Sequence, residues 1–243
     1  MANIVFIHGA GDSASIWERQ LLHFSGSHQV LAAELPGRGA RLSDRPNEDH
    51  HANAADVCAQ MDRAGMKTAV VVGHSMGGAV TLTLAMDSPE RCAGLVLVAT
   101  GARLKMHPDF LAGAKAQAES APLEPPRPAP VPLEKSVSPS ASAEAREWLR
   151  PRVATASARA TYADFAANNG FDIRERLAEI PIASLVVAAA DDQMAPPKFG
   201  EFLAQNLPHA RMATIAQAGH YPMIEREDEF NRLLGTFIDE LGR

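Results

Sequence analysis

The chain has 243 residues, 46% of them hydrophobic and 21% charged, which excludes a chain disordered throughout and supplies enough apolar material for a sizeable core. Its 23 lysines and arginines face 29 aspartates and glutamates, a net charge of -6, so no basic field exists to hold a phosphate backbone or an anionic membrane surface. No nucleic-acid partner is expected.

The chain opens Met1-Ala2-Asn3-Ile4-Val5-Phe6-Ile7-His8-Gly9, a strand pattern at 4–7 with neither a basic stretch nor a long apolar one before it. Neither a secretory signal nor a membrane span is expected, and the cytoplasm is the expected compartment. A helical pattern at 15–24 follows, then a strand at 30–33, a helix at 49–64, a strand at 68–72, a helix at 76–87 and a strand at 95–99. The alternation breaks over 101–169 and resumes with strands at 182–188 and 211–215 and helices at 197–206 and 227–241. Short β-branched strands alternating with helices predict a mainly parallel sheet covered on both faces, formed by residues 1–100 and 170–243.

Residues 101–169 read as an insertion, a cap over a site. Six prolines fall within the eleven residues 122–132, and four serines alternate over 136–142, which argues against regular structure there. The alanine-rich flanks 108–120 and 143–165 predict helices, and Phe110, Leu111, Trp148, Leu149, Tyr162 and Phe165 give the cap apolar surface to fold down. Cys58 and Cys92 have no metal-ligand or disulfide-framework spacing and read as inert, partly buried thiols.

Val70-Val71-Val72-Gly73-His74-Ser75-Met76-Gly77-Gly78 places a G-x-S-x-G between a strand and a helix. A turn that tight forces the serine into a strained backbone, and glycines on either side remove the β-carbons that would collide. Ser75 is thereby raised above the sheet at a helix N-terminus, whose positive end favours a developing oxyanion. Acyl hydrolysis needs two N–H groups aimed at the tetrahedral oxygen. The amide of Met76 is one, and the turn His8-Gly9-Ala10-Gly11-Asp12 offers that of Ala10 as the second. His8 reads as a brace of this turn and His74 as packed inward. Of the other histidines, His220 alone stands in a loop beyond a strand end, where open parallel sheets place chemistry. His23, His28, His50, His51, His107 and His209 read as solvated. The acid should leave a strand end too, and both Asp191 and Asp192 qualify, giving the chain order serine, aspartate, histidine.

In these motifs the chain resembles the α/β-hydrolase-fold serine hydrolases, in particular small carboxylesterase-like members. The resemblance runs from His8-Gly9 through Gly73-His74-Ser75-Met76-Gly77-Gly78 to Gly219-His220 and leaves only 101–169 unmatched. It implies a three-layer α/β-hydrolase fold, a mainly parallel sheet of about six strands with a helical cap, the first strand here corresponding to the family's third. Leu35-Pro36-Gly37-Arg38-Gly39 resembles a structural loop of the family, with Glu34 where aspartate is common. The family's acid sits four residues before the proline opening the next helix, which selects Asp192, before Pro196, over Asp191. The compactness is similar to that of the esterases related to plant methyl esterases and hydroxynitrile lyases. His220-Tyr221-Pro222-Met223-Ile224 lacks the lysine of those lyases, and a serine at the turn argues against haloalkane dehalogenases and epoxide hydrolases.

The expected chemistry is attack of Ser75 on an ester carbonyl with His220 as base, Asp192 orienting it, and the Ala10 and Met76 amides stabilising the oxyanion. No metal or organic cofactor is expected. The cap's aromatics and Trp17 suggest an apolar pocket and a small to medium, weakly charged carboxylic ester. The same triad also serves carbon–carbon, amide or lactone hydrolysis, and a non-catalytic ligand receptor can retain it, since fold fixes none of these.

Overall fold

The β-branched runs become six strands, β1 (Asn3–Ile7), β2 (Gln29–Ala33), β3 (Ala69–His74), β4 (Cys92–Val98), β5 (Ser184–Ala189) and β6 (Ala210–Ile215). In the computed structural model, which describes residues 1–125 and 131–242, they form one sheet in the order β2-β1-β3-β4-β5-β6, with every pairing parallel. Successive side chains on a strand point to opposite faces. Ile4, Phe6, Val70 and Val72 therefore enter one apolar layer, and Val5, Ile7, Val71 and Leu97 the other.

The helices are α1 (Glu18–Phe24), α2 (His50–Arg63), α3 (Met76–Asp87), α4 (Pro108–Ser120), α5 (Leu133–Ser136), α6 (Ala143–Leu149), α7 (Ala158–Gly170), α8 (Pro197–Asn206), α9 (Pro222–Glu225) and α10 (Glu227–Leu241), and all but α4 and α7, which pack on each other, contribute to one of the two layers. Phe24 of α1 joins Phe230, Leu234, Phe237 and Ile238 of α10 on the first face, the latter four at the spacing of one helical stripe. Val57 and Met61 of α2, Leu82 of α3 and Leu203 of α8 fill the second face. This is the three-layer architecture expected from the alternation, with the sheet wholly rather than mainly parallel. From β1 the chain moves outward to β2 and then returns past β1 to β3. The loops leaving β1 and β3 consequently diverge at the carboxyl ends of the strands, which opens a crevice there.

The insertion leaves after β4 and returns before β5. Its two ends meet in a neck, where Ile173 N–H donates to Ala102 O at 2.9 Å beside an isolated antiparallel bridge between Arg103 and Asp172. Its interior departs from expectation in one place. The single helix expected over 143–165 is two, because Pro151 cannot continue α6 and the chain restarts only at Ser157, whose side chain caps α7 by accepting from Ala160 N–H at 3.2 Å. The serine run at 136–142 carries no helix or strand beyond Ser136, which closes α5, in keeping with the expectation; Ser142 caps α6 by accepting from Ala145 N–H at 3.0 Å, and Ser138 is fully buried. Residues 126–130 of the proline-rich stretch lie outside the described residues. Among the described residues, no helix is long and apolar enough to cross a membrane.

Candidate active site

Ser75 stands between the last residue of β3 and the first of α3, with φ 54° and ψ -117°. A non-glycine residue with positive φ costs about 1–3 kcal/mol and persists only where its surroundings over-determine it. They do so here. Ser75 N–H donates to Val98 O at 2.9 Å, and its carbonyl accepts from Gly78 N–H at 2.9 Å and the Thr100 hydroxyl at 2.7 Å. A β-carbon on Gly73 would strike the Gly77 carbonyl and the Thr81 hydroxyl, and one on Gly77 would strike the Ile7 carbonyl. The glycines thus let strand, turn and helix approach closely, and the serine side chain is left lining a cavity of about 720 Å³.

His220 lines the same cavity from the loop between β6 and α9. Its Nδ1 lies 2.8 Å from Asp192 Oδ2, while Asp192 Oδ1 accepts from the N–H groups of Met194 at 2.8 Å and Ala195 at 2.9 Å. A carboxylate can only accept, so Nδ1 carries the proton and Nε2 of the neutral ring holds a lone pair. Burial pushes the His220 pKa down, but the charge and hydrogen bond of Asp192 outweigh it, and the net shift is upward. Burial pushes Asp192 up, and the His220 charge with the three hydrogen bonds brings it below its usual range. Asp191 points elsewhere: it is exposed and accepts from the Ser138 hydroxyl at 2.6 Å.

Ala10 lines the cavity from the turn after β1, and Met76 is the first residue of α3, where N–H groups have no partner within the helix. His8 is buried and neutral, its ring Nδ1–H donating to Gly9 O at 2.8 Å, with burial holding its pKa well below the usual value. His74 is likewise pushed down by burial, to about 3, and its Nε2–H donates to the His220 carbonyl at 2.7 Å. Among the described residues no group of three or more His, Cys, Asp or Glu has the geometry to hold a metal ion.

A family model described as the alpha/beta hydrolase family matches residues 4–233. The chain belongs to the alpha/beta hydrolase family. A protein of Azorhizobium caulinodans, provisionally named carbamate hydrolase RutD, is 28% identical over 256 residues, covering 99% of this chain and 92% of that protein. The 2-hydroxy-6-oxo-6-phenylhexa-2,4-dienoate hydrolase of Comamonas testosteroni is 27% identical, covering 97% of this chain and 87% of that enzyme. Among solved structures, that of a thermophilic esterase superposes with a TM-score of 0.77 at 28% identity, covering 100% of this chain and 91% of that one.

Several expectations about the walls of this alpha/beta hydrolase site require correction. Trp17 is not a pocket residue. It is fully buried on the first face of the sheet, 4.9 Å from Phe6 and 6.1 Å from Phe230 between ring centroids. Of the six apolar cap residues only Phe165 lines the cavity. Leu149 sits in the core, Phe110 is 46% exposed, and Trp148 packs against the guanidinium groups of Arg19 and Arg152. His50 is not solvated: it is buried edge-on against Phe171, and burial pushes its pKa to about 4.

Other residues of the site had no sequence signal of their own. Asp12 is buried in the cavity wall, accepting from Ala154 N–H at 3.0 Å and from the Tyr221 hydroxyl at 3.3 Å, and burial raises its pKa to about 6. Asp164, on α7, accepts from Gly11 N–H at 2.9 Å and from both terminal nitrogens of the buried Arg38 at 3.0 and 3.1 Å. The Leu35-Pro36-Gly37-Arg38-Gly39 loop is in this way a fastening point for the insertion. Glu225 gathers the N–H groups of Ser138 at 2.7 Å, Gly219 at 2.9 Å and Tyr221 at 3.1 Å, and Ser136 O accepts from His220 N–H at 2.6 Å.

Proposed function

We propose that this alpha/beta hydrolase is a serine hydrolase cleaving small to medium carboxylic esters through an acyl-enzyme. The observation that carries the reading is the 2.8 Å contact between His220 Nδ1 and Asp192 Oδ2, with His220 and the strained Ser75 on one cavity. His220 Nε2 takes the Ser75 hydroxyl proton as Oγ bonds to the ester carbonyl carbon, and the carbonyl oxygen becomes an oxyanion facing the Ala10 and Met76 amides. Collapse breaks the bond to the alkoxy group, which leaves with the proton from His220. Water then repeats the sequence on the acyl-serine: His220 takes a proton from it, the hydroxide adds, and Ser75 leaves with that proton. Asp192 holds the imidazole in its reactive tautomer throughout and stabilises the imidazolium. The esterase among the similar structures supports the ester as substrate class.

The experiment is a Ser75→Ala variant examined with a fluorophosphonate probe and p-nitrophenyl esters. Labelling should vanish and kcat should fall on the order of 10⁵-fold or more. Labelling that persists would move the nucleophile to another residue. In the wild-type chain, a burst without turnover would mark a ligand receptor, and labelling without any ester reaction would turn the same residues toward carbon–carbon or amide substrates.

A further inference from the structure

The charge of the cavity is opposite to that of the chain. Its wall carries four cationic side chains, Arg103, Lys105, Arg174 and Lys198, against one carboxylate, Asp12, in a protein of net charge -6. The two signs are separated in depth. Asp12 is 2% exposed and held by Ala154 and Tyr221, whereas all four cations are exposed. Arg103 and Arg174 share a single counter-ion, Asp172, at 3.6 and 2.7 Å. Lys105 and Lys198 have no ion-pair partner among the described residues. Leu104, Met106, Phe199 and Phe202 line the same cavity and make its wall apolar.

Building on the ester reading above, we propose that the substrate is an amphipathic ester whose end remote from the scissile bond carries a carboxylate, gripped at the rim by Lys105 and Lys198 with Arg103 and Arg174 behind them. The buried Asp12 repels that carboxylate from the catalytic end, and the rim attracts it, so the two together fix which way the substrate enters. A neutral ester fills the apolar wall but leaves the rim lysines in water and gains no orientation. This replaces the weakly charged substrate expected from the sequence, where rim and interior could not be told apart.

The experiment compares esters of equal length on one enzyme: monoethyl adipate against ethyl hexanoate for an anion on the acyl side, and 5-carboxypentyl acetate against hexyl acetate for one on the alcohol side. In at least one pair the anionic ester should have about tenfold higher kcat/KM, the size expected of two solvent-exposed ion pairs. The ratio should shrink as salt rises, because exposed charges are screened over about 8–10 Å at physiological ionic strength. In the Lys105→Glu, Lys198→Glu double variant the ratio should fall to one or below. A ratio near one in both wild-type pairs, or a ratio the double variant leaves intact, overturns the rim. The Ser75→Ala chain separates this from the esterase reading, because calorimetry should show the preferred anionic ester binding to it with no turnover. Binding of that ester without hydrolysis by the wild type would sink the esterase alone, and hydrolysis without anionic preference would sink the rim alone.

Discussion

The turn that carries Ser75 is held by close packing within the sheet, through a bond to Gly78, bonds to Val98 and Thr100 at the end of β4 and glycines packed against the adjoining strand β1. The insertion is held by polar ties to partners far away in sequence: Asp164 to Arg38, Ser138 to Glu225 and Asp191, and Ala154 to Asp12. The first arrangement tolerates almost no change at its glycines, and its partners are fixed by the pairing of β1, β3 and β4. The second is a set of separate fasteners, each removable by one substitution. Chemistry should therefore be most sensitive in the turn and its partners, and stability most sensitive in the fasteners.

After the loss of Ser75 itself, the largest effect should come from the two aspartates after β5. Asp192→Asn should keep its fold and lose on the order of 10⁴ in kcat, because an amide facing Nδ1 favours the wrong imidazole tautomer. Asp191→Asn should lose less than about tenfold. Steady-state kinetics with thermal melts on both variants checks the pair, and the reverse order would move the acid to Asp191.

Asp164→Ala should be the costliest change in the insertion, at about 3–5 kcal/mol in urea unfolding, since it strands the buried Arg38 guanidinium. Pairing Asp164→Leu with Arg38→Met should cost less than the single change, as the stranded charge is gone. A single variant within about 1 kcal/mol of wild type would mean that this tie does not hold the insertion.

A moderate effect is expected in pH dependence. His220 must be neutral to act as base, so kcat/KM should rise with pH and level above a midpoint higher than the ordinary histidine value of about 6.5, because Asp192 raises the His220 pKa. The nearby Asp12 carboxylate raises it further, so Asp12→Asn should move the midpoint down. A midpoint unmoved by Asp12→Asn would detach that carboxylate from the base. The smallest change is expected from Ser138→Ala, about 1 kcal/mol in stability, because the Asp191 carboxylate it loses as a partner is already exposed to water.

This contrast also explains what could be read in the sequence. The turn at Ser75 is written in consecutive residues, and the strand and helix periods are local, so the sheet and the Gly73-His74-Ser75-Met76-Gly77 motif were both legible. Asp12, Asp164, Glu225 and Arg38 were not, because a charged residue in a sequence looks solvated until its partner, 126 positions away for Arg38 and Asp164, is known. Trp17 was visible as a large apolar residue, but nothing local says whether it packs against Phe6 or faces a ligand. His50 reads as a surface residue of α2 for the same reason, since Phe171, which covers it, arrives from beyond the insertion.

The carboxylate of Glu225 binds one amide of the insertion and two of the loop that bears His220. The insertion and the loop of His220, the proposed base, therefore share a single keystone. Displacing the later half of the insertion would pull at the loop of His220 itself. The earlier half is built differently: α4 buries only Ala114 and packs against α7.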